Sequence, residues 1–177
     1  MKRLFVAVEL PEELRNRIHS LAGELPQDAV KAVEKENIHL TLKFLGDTPE
    51  SKVAEIIERL EGVSSGPFRC AVSGAGVFPN PDYIRVVWVG LHCEEMPKLA
   101  AEVERALEGI GKKEERGFSP HITIARVRKK IDVSAFLAKH ASENFGGFGA
   151  SEFVLIGSEL GREGPTYTAI KRFSLER

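Results

Sequence analysis

Two short segments of this sequence place a threonine two residues after a histidine. The first is His39-Leu40-Thr41-Leu42 and the second is His121-Ile122-Thr123-Ile124. In a β-strand, residues i and i+2 point to one face and the residues between them point to the other. Each segment therefore predicts a strand that presents histidine and threonine on one face and buries two aliphatic side chains on the opposite face.

Two such segments could carry out acid–base chemistry on a phosphate ester. Imidazole titrates near pH 6.5, so at neutral pH one histidine can hold a proton while the other accepts one. A threonine hydroxyl about 7 Å along the same strand face can donate a hydrogen bond to a phosphate oxygen. Placed on either side of one phosphorus atom, His39 and His121 would suit the opening of a cyclic phosphodiester by water. The residues alone leave open which histidine is the acid, because the two segments are equivalent.

The elements around the two segments repeat along the chain. Apolar strands at Leu4–Leu10 and Tyr83–Leu91 are each followed by a predicted helix, at Pro11–Ala22 and Pro97–Ile110. The spacing also repeats, since 35 residues separate Leu4 from His39 and 37 separate Ile84 from His121. This indicates an internal duplication.

We therefore expect one catalytic domain over residues 1–177, with pseudo-repeat halves at roughly 1–82 and 83–177. Its predicted fold class is α+β, with two lobes of mainly antiparallel sheet backed by helices and the active-site groove between them. Further strands are predicted at 38–45, 68–77, 118–127, 152–160 and 167–175, and further helices from residue 49 to about 60 and at 133–140. The glycine-rich segments 146–149 and 161–164 are predicted to be loops.

Composition excludes several classes of protein. Hydrophobic residues make up 42% and charged residues 29%, a globular balance, and the net charge of -1 indicates no general affinity for polyanions. Cys70 and Cys93 form no CxxC motif, and no HExxH motif is present, so neither a metal nor a cofactor is expected. The apolar run that begins at Leu4 stops at Glu9, too short for a signal peptide or a membrane span. We therefore expect a cytoplasmic monomer without membrane contact. The small number of Asn and Gln residues indicates a thermophilic source.

Two longer segments resemble a known family. Arg3-Leu4-Phe5-Val6-Ala7-Val8-Glu9-Leu10-Pro11 and Ser119-Pro120-His121-Ile122-Thr123-Ile124-Ala125-Arg126 are similar to the archaeal and bacterial RNA 2',3'-cyclic phosphodiesterases, also called 2'-5' RNA ligases. These enzymes belong to the two-histidine phosphoesterase superfamily, and the resemblance covers essentially the whole chain.

The resemblance implies a function. It implies metal-independent hydrolysis of a terminal 2',3'-cyclic phosphate of RNA to a 2'-phosphate, with weak, reversible 2'-5' ligation, and partners that are RNA ends, including tRNA fragments. It also implies that His39 donates a proton to the departing 3' oxygen and that His121 accepts a proton from water. Thr41 and Thr123 are the expected phosphate-binding hydroxyls.

The resemblance further implies that Arg126 holds the phosphate. Strict alternation, however, puts Arg126 on the face of Ile122 and Ile124, so it reaches the site only if the strand bends or bulges. The alternative is that Arg126 is a basic residue at the rim of the site. A basic cluster that could attract RNA phosphates would then consist of Arg126, Arg128, Lys129 and Lys130 with Lys112, Lys113 and Arg116.

The aromatic residues near the motifs could stack a base, but a packed core is the default for them. Phe44 shares the parity of Leu40 and Leu42 and is therefore predicted to be buried. The same default applies to Phe78, Tyr83, Trp88 and Phe118. Three other functions remain open: a cyclic phosphodiesterase acting on small nucleotides, an RNA-end binding module without turnover, and, least favoured, a metal-dependent hydrolase.

Overall fold

The chain forms two antiparallel sheets covered by helices, as seen in a computed structural model that describes residues 1–113 and 117–176. Arg116 of the predicted basic cluster lies outside the described residues. The strands are β1 (Lys2–Glu9), β2 (Val30–Ala32), β3 (His39–Thr48), β4 (Phe68–Asn80), β5 (Tyr83–His92), β6 (His121–Val127), β7 (Asn144–Ala150), β8 (Glu152–Leu160) and β9 (Pro165–Ser174). The α-helices are α1 (Glu12–Leu21), α2 (Val53–Glu61), α3 (Glu95–Ala106) and α4 (Ser134–His140).

The strands are divided between a four-stranded sheet, in the order β3-β1-β8-β9, and a five-stranded sheet, in the order β2-β6-β5-β4-β7. Helices α2 and α3 pack on the first sheet, and α1 and α4 pack on the second. This confirms the predicted α+β fold of two antiparallel lobes backed by helices with a groove between them. Each sheet contains strands from both of the predicted halves, 1–82 and 83–177. That residues 1–177 form a single catalytic domain remains a prediction.

Strand β1 is buried on both of its faces, which explains why its sequence is a continuous apolar run rather than an alternating one. Leu4, Val6 and Val8 belong to the main core beneath the helices. Phe5 and Ala7 point to the groove side, where they form a second, smaller cluster with Val154, Ile156 and Tyr167. The groove wall of this sheet is therefore apolar at its base.

Residues 146–149, predicted to be a loop, lie within β7 at the edge of the five-stranded sheet. The prediction was wrong because a glycine here serves close packing rather than a turn. Gly147 pairs with Ala71, and a Cβ at Gly147 would lie 2.6 Å from the carbonyl oxygen of Cys70. Only a residue without a side chain lets the two backbones approach this closely.

Strand β4 also continues beyond its predicted end at Val77, through Asn80. The hairpin to β5 is therefore shorter than the proline-rich sequence indicated. The Asn80 side-chain oxygen accepts hydrogen bonds from the backbone N–H groups of Asp82 and Tyr83, each at 3.0 Å.

None of the helices in the described part of the chain combines the length and apolar character needed to cross a bilayer.

Candidate active site

Strand β3 places His39 and Thr41 on the groove face and buries Leu40 and Leu42 beneath the helices. The Nε2 atom of His39 lies 3.1 Å from Thr41 Oγ1, and the ring also hydrogen-bonds to the backbone of Asn37. A carbonyl can only accept, so we assign the hydrogen to Nδ1, which leaves Nε2 as the nitrogen that reaches the groove.

The His39 ring is held by two aromatic residues of the four-stranded sheet. It stacks on Phe5, with ring centroids 4.8 Å apart, and meets the edge of Tyr167 at 5.3 Å. Burial lowers the pKa of His39 to about 4, while the hydrogen bond to the Asn37 backbone and the negative charge of Glu9 oppose this change. His39 is therefore neutral at neutral pH in the free protein.

His121 on β6 has the same construction. Its Nδ1 lies 2.7 Å from the carbonyl oxygen of Ser119. Ser119 lies two residues before His121, just as Asn37 lies two residues before His39. Two aromatic residues again flank the ring: Phe78 meets it edge-on at 4.9 Å, and Trp88 lies at 6.3 Å. By the same reasoning, Nδ1 carries the hydrogen and Nε2 is available to a bound group.

We call these two regions the His39 half-site and the His121 half-site. The His39 half-site consists of His39, Thr41, Phe44, Phe5 and Tyr167. The His121 half-site consists of His121, Thr123, Arg126, Phe78 and Trp88.

A β-bulge in β6 decides where Arg126 points. Thr123 pairs with Trp88 and Ala125 pairs with Val87, which leaves Ile124 without a partner on β5. The extra residue reverses the alternation, because two consecutive residues, Ile124 and Ala125, now face the core. Arg126 is exposed on the same side as Thr123. The structure thus meets the condition under which Arg126 can reach the phosphate.

Strand β3 contains a bulge at the equivalent position. Thr41 pairs with Ala7 and Lys43 pairs with Val6, which leaves Leu42 unpaired. The predicted burial of Phe44 is therefore wrong: its side chain is 49% exposed on the groove face. Strict alternation failed here because it assumes an unbroken ladder.

The default prediction of a packed core was also wrong for other aromatic residues. Phe78 and Trp88 are half-buried in the His121 half-site, and Tyr83 is 60% exposed next to the β4–β5 hairpin. Phe118 packs against the core as predicted. Tyr167 was missed as a site residue, because alternation in the last strand gave no signal beyond strand formation.

The two walls of the groove approach each other near Tyr167. Burial raises the pKa of its phenol, and the guanidinium groups of Arg126, from the opposite sheet, and Arg3 oppose that rise. Lys31 of β2 pairs with Arg126 in register, and its Nζ donates to the carbonyl oxygen of Glu163 at 3.3 Å. This end of the groove is therefore positively charged.

The side chains described above offer acid–base groups and donors to an anion. Across residues 1–113 and 117–176, no group of three or more His, Cys, Asp and Glu side chains is arranged to hold a metal ion. Imidazole, hydroxyl and guanidinium groups are suited to binding a phosphate group and to transferring protons to and from it.

Comparison with known proteins assigns the class of this fold and site. Residues 8–88 and 92–167 match the LigT-like phosphoesterases. The chain therefore belongs to the LigT-like phosphoesterase family, as its sequence motifs indicated.

Individual relatives cover almost the whole chain. An RNA 2',3'-cyclic phosphodiesterase of Archaeoglobus fulgidus is 41% identical over 174 residues, which are 97% of this chain and 99% of the relative. A crystal structure of a Thermus thermophilus protein has a TM-score of 0.81 at 33% identity and covers 98% of this chain and 97% of its own. Escherichia coli LigT, crystallised with 3'-AMP, has a TM-score of 0.82 at 28% identity and covers 99% of both chains. These relatives confirm that the chain is an enzyme, and they fit the predicted thermophilic source.

Proposed function

We propose that this chain is an RNA 2',3'-cyclic phosphodiesterase, with residues 1–177 acting as one catalytic domain and His39 and His121 as its acid–base pair. The observation that carries the proposal is the matching construction of the two half-sites. Each has a histidine whose Nδ1 is held by a backbone carbonyl two residues earlier, a threonine on the same strand face, and a bulge directly after that threonine. The activity named for the 41% identical relative supports the same substrate class.

The proposed reaction is an in-line displacement at the cyclic phosphate. A water oxygen forms a bond to phosphorus and the bond from phosphorus to the 3' oxygen breaks, which leaves a 2'-phosphate and a 3'-hydroxyl. Nε2 of His121 takes the proton from water, and Nε2 of His39 gives a proton to the 3' oxygen. If the 5'-hydroxyl of a second RNA end replaces water, the same two transfers produce a 2'-5' linkage, and we propose this as a weak, reversible side reaction.

The low pKa of His39 makes its acid role dependent on the substrate. The ring is neutral in the free protein, because burial lowers its pKa to about 4. A bound phosphate places negative charge beside the ring and stabilises the imidazolium form. We therefore expect the cyclic phosphate to bring about protonation of the histidine that later protonates its leaving group.

The remaining polar groups are assigned to holding the phosphate. The hydroxyls of Thr41 and Thr123 and the guanidinium of Arg126 donate to its non-bridging oxygens. Thr41 also donates to the neutral Nε2 of His39 at 3.1 Å, and it can turn to accept from that nitrogen once the ring is protonated. We assign no cofactor to the reaction.

The proposal is tested with purified protein on an RNA oligonucleotide that ends in a 2',3'-cyclic phosphate. His39→Ala and His121→Ala should each lower kcat by about a thousandfold or more, since each removes one proton-transfer group. His19→Ala, which changes a histidine on α1 that contacts the carbonyl of Val33, is the matched control and should stay near the wild-type rate. Prior treatment with a chelator should leave the rate unchanged.

Other results would favour the alternative functions. A double His39→Ala/His121→Ala variant with nearly full activity would refute the acid–base assignment. Loss of activity with chelator would point to a metal-dependent hydrolase, and tight RNA binding without turnover would point to a binding module. Faster turnover of a cyclic mononucleotide than of the oligonucleotide would identify a small-nucleotide enzyme.

A further inference from the structure

The two half-sites differ at the residue opposite each histidine. His39 pairs directly with Glu9 of β1, whereas His121 pairs with Gly90 of β5. Directly opposed residues of an antiparallel pair carry their side chains on one face at close range. His39 therefore has a carboxylate as its cross-strand neighbour, and His121 has no side chain at that position.

The backbone of the five-stranded sheet keeps the position opposite His121 free of a side chain. A Cβ on Gly90 would lie 2.6 Å from the carbonyl oxygen of Ser73 and 3.3 Å from Nε2 of His92. The first contact is with backbone that cannot move aside cheaply, because Ser73 is itself the partner of Gly90 in the ladder between β4 and β5. The nearest titratable group along β5 is His92, which cannot carry a negative charge.

Glu9 is itself held in place. Nη1 of Arg172 donates to Glu9 Oε2 at 2.5 Å and to Glu152 Oε1 at 2.6 Å, so one guanidinium joins β1, β8 and β9 at this end of the sheet. Neutralisation by Arg172 also limits the repulsion between Glu9 and a bound phosphate. Glu152 touches the same nitrogen but lies on β8, one strand further from His39.

We infer that Glu9 is a positioning residue: its carboxylate, held opposite His39 by Arg172, stabilises the protonated ring that the proposed reaction needs as its general acid. The inference rests on the proposed function, which takes the acid from His39, and it adds a carboxylate that the His121 half-site lacks at the equivalent position. Burial lowers the pKa of His39, and the hydrogen bond to the Asn37 backbone and then the charge of Glu9 act in the opposite direction. Of the other charged or titratable groups, Tyr167 contacts His39, Arg126 and Arg3 act on Tyr167, and Arg172 binds Glu9.

The test measures the titration of His39 itself by NMR, in the free protein and in the presence of saturating inorganic phosphate. The His39→Ala variant identifies the resonance. Glu9→Gln should lower the pKa of His39 by about half a unit in both states, because it removes a negative charge from the facing position. Glu152→Gln is the matched control, since it removes the same charge from the same Arg172 nitrogen one strand further away, and it should shift the titration much less.

Rates then connect the titration to catalysis. At pH 8, kcat on the cyclic-phosphate oligonucleotide should fall in Glu9→Gln by the same factor as the protonated fraction of His39 in the NMR titration, about threefold, and should stay near wild type in Glu152→Gln. Equal shifts in the two variants, or an unchanged His39 titration in Glu9→Gln, would overturn the inference. The NMR result does not require turnover, so a protein that shows the shift but does not cleave RNA would refute only the proposed function.

Discussion

Arg126 and Phe44 occupy equivalent positions, each following a bulge that comes directly after the threonine of its motif. In the His121 half-site this position carries a guanidinium, which suits a phosphate. In the His39 half-site it carries an exposed aromatic ring, which packs on Phe5 at 5.9 Å and lies beneath the guanidinium of Arg3 at 5.5 Å. At the scale of the residue, the two half-sites thus share a backbone irregularity, and one places a cation on the groove face where the other places an aromatic ring.

The phosphate assignment of Arg126 predicts an effect that its neighbours on the strand do not share. Arg126→Met should lower kcat/KM on the cyclic-phosphate oligonucleotide by about ten- to a hundredfold and reduce the salt dependence of KM by roughly one charge. Arg128→Met, which removes another exposed cation two residues further along the chain, should change kcat/KM by less than about threefold. If both variants lose the same activity, Arg126 contributes only to the general positive field of the groove.

At the scale of the element, the bulge in β3 also turns a lysine inward. Lys43 is buried, and its Nζ donates to Glu104 Oε2 of α3 at 2.6 Å and to the carbonyl oxygen of Lys112 at 3.2 Å. The single ammonium group thereby joins the strand of the His39 half-site to a helix and to the segment that leads towards β6. One irregularity in β3 both exposes Phe44 and anchors the sheet to its covering helix.

This anchor predicts an asymmetric response to mutation. Glu104→Ala should lower the free energy of unfolding by about 2–3 kcal/mol, measured by urea denaturation, because it leaves the buried Lys43 ammonium without its charged partner. The double variant Lys43→Met/Glu104→Ala should recover most of that loss, since no charge then remains buried. Glu102→Ala, which breaks an exposed ion pair with Arg105 on the same helix, should cost less than about 1 kcal/mol. Equal losses from Glu104→Ala and Glu102→Ala would show that the buried anchor contributes no more than a surface pair.

At the scale of the whole molecule, the burial of His39 beside the groove affects the stability of the fold. The pKa of His39 is lowered to about 4, against a value near 6.5 for an unfolded chain. Between these values the unfolded state binds more protons than the native state, so stability falls as the pH decreases from about 6.5 to about 4. Burial of a neutral His39 therefore lowers the free energy of unfolding only at acidic pH.

The cost can be measured by comparing wild type with His39→Gln. Between pH 6.5 and pH 4, wild type should lose about 2–3 kcal/mol more of its unfolding free energy than the variant, whose residue 39 does not titrate. Urea denaturation across that range gives both curves. The carboxylates of Glu24, Glu55 and Asp132 have lowered pKa values and are present in both proteins, so their effect cancels. Parallel curves for the two proteins would contradict the burial of a neutral His39.

Much of the function was predictable from local pattern. The period of two residues in a strand is set by the backbone, so the His-x-Thr motifs by themselves indicated which side chains share a face and which enter the core. The antiparallel two-lobe fold followed from the repeated order of elements and from the family resemblance. The family, together with the two histidines and two threonines that we propose as the site, could therefore be named before any coordinates.

The sequence by itself determined the chemistry available to this protein, because residue type and strand alternation are local properties of the chain. The tertiary structure alone decided that Arg126 and Phe44 face the groove, that Tyr167 flanks His39 and that Glu9, rather than a glycine, lies opposite it. Each of these depends on the register between strands distant in sequence, where one extra residue reverses every side chain that follows. Register is fixed by the packing of the whole sheet, and no segment of the sequence contains it.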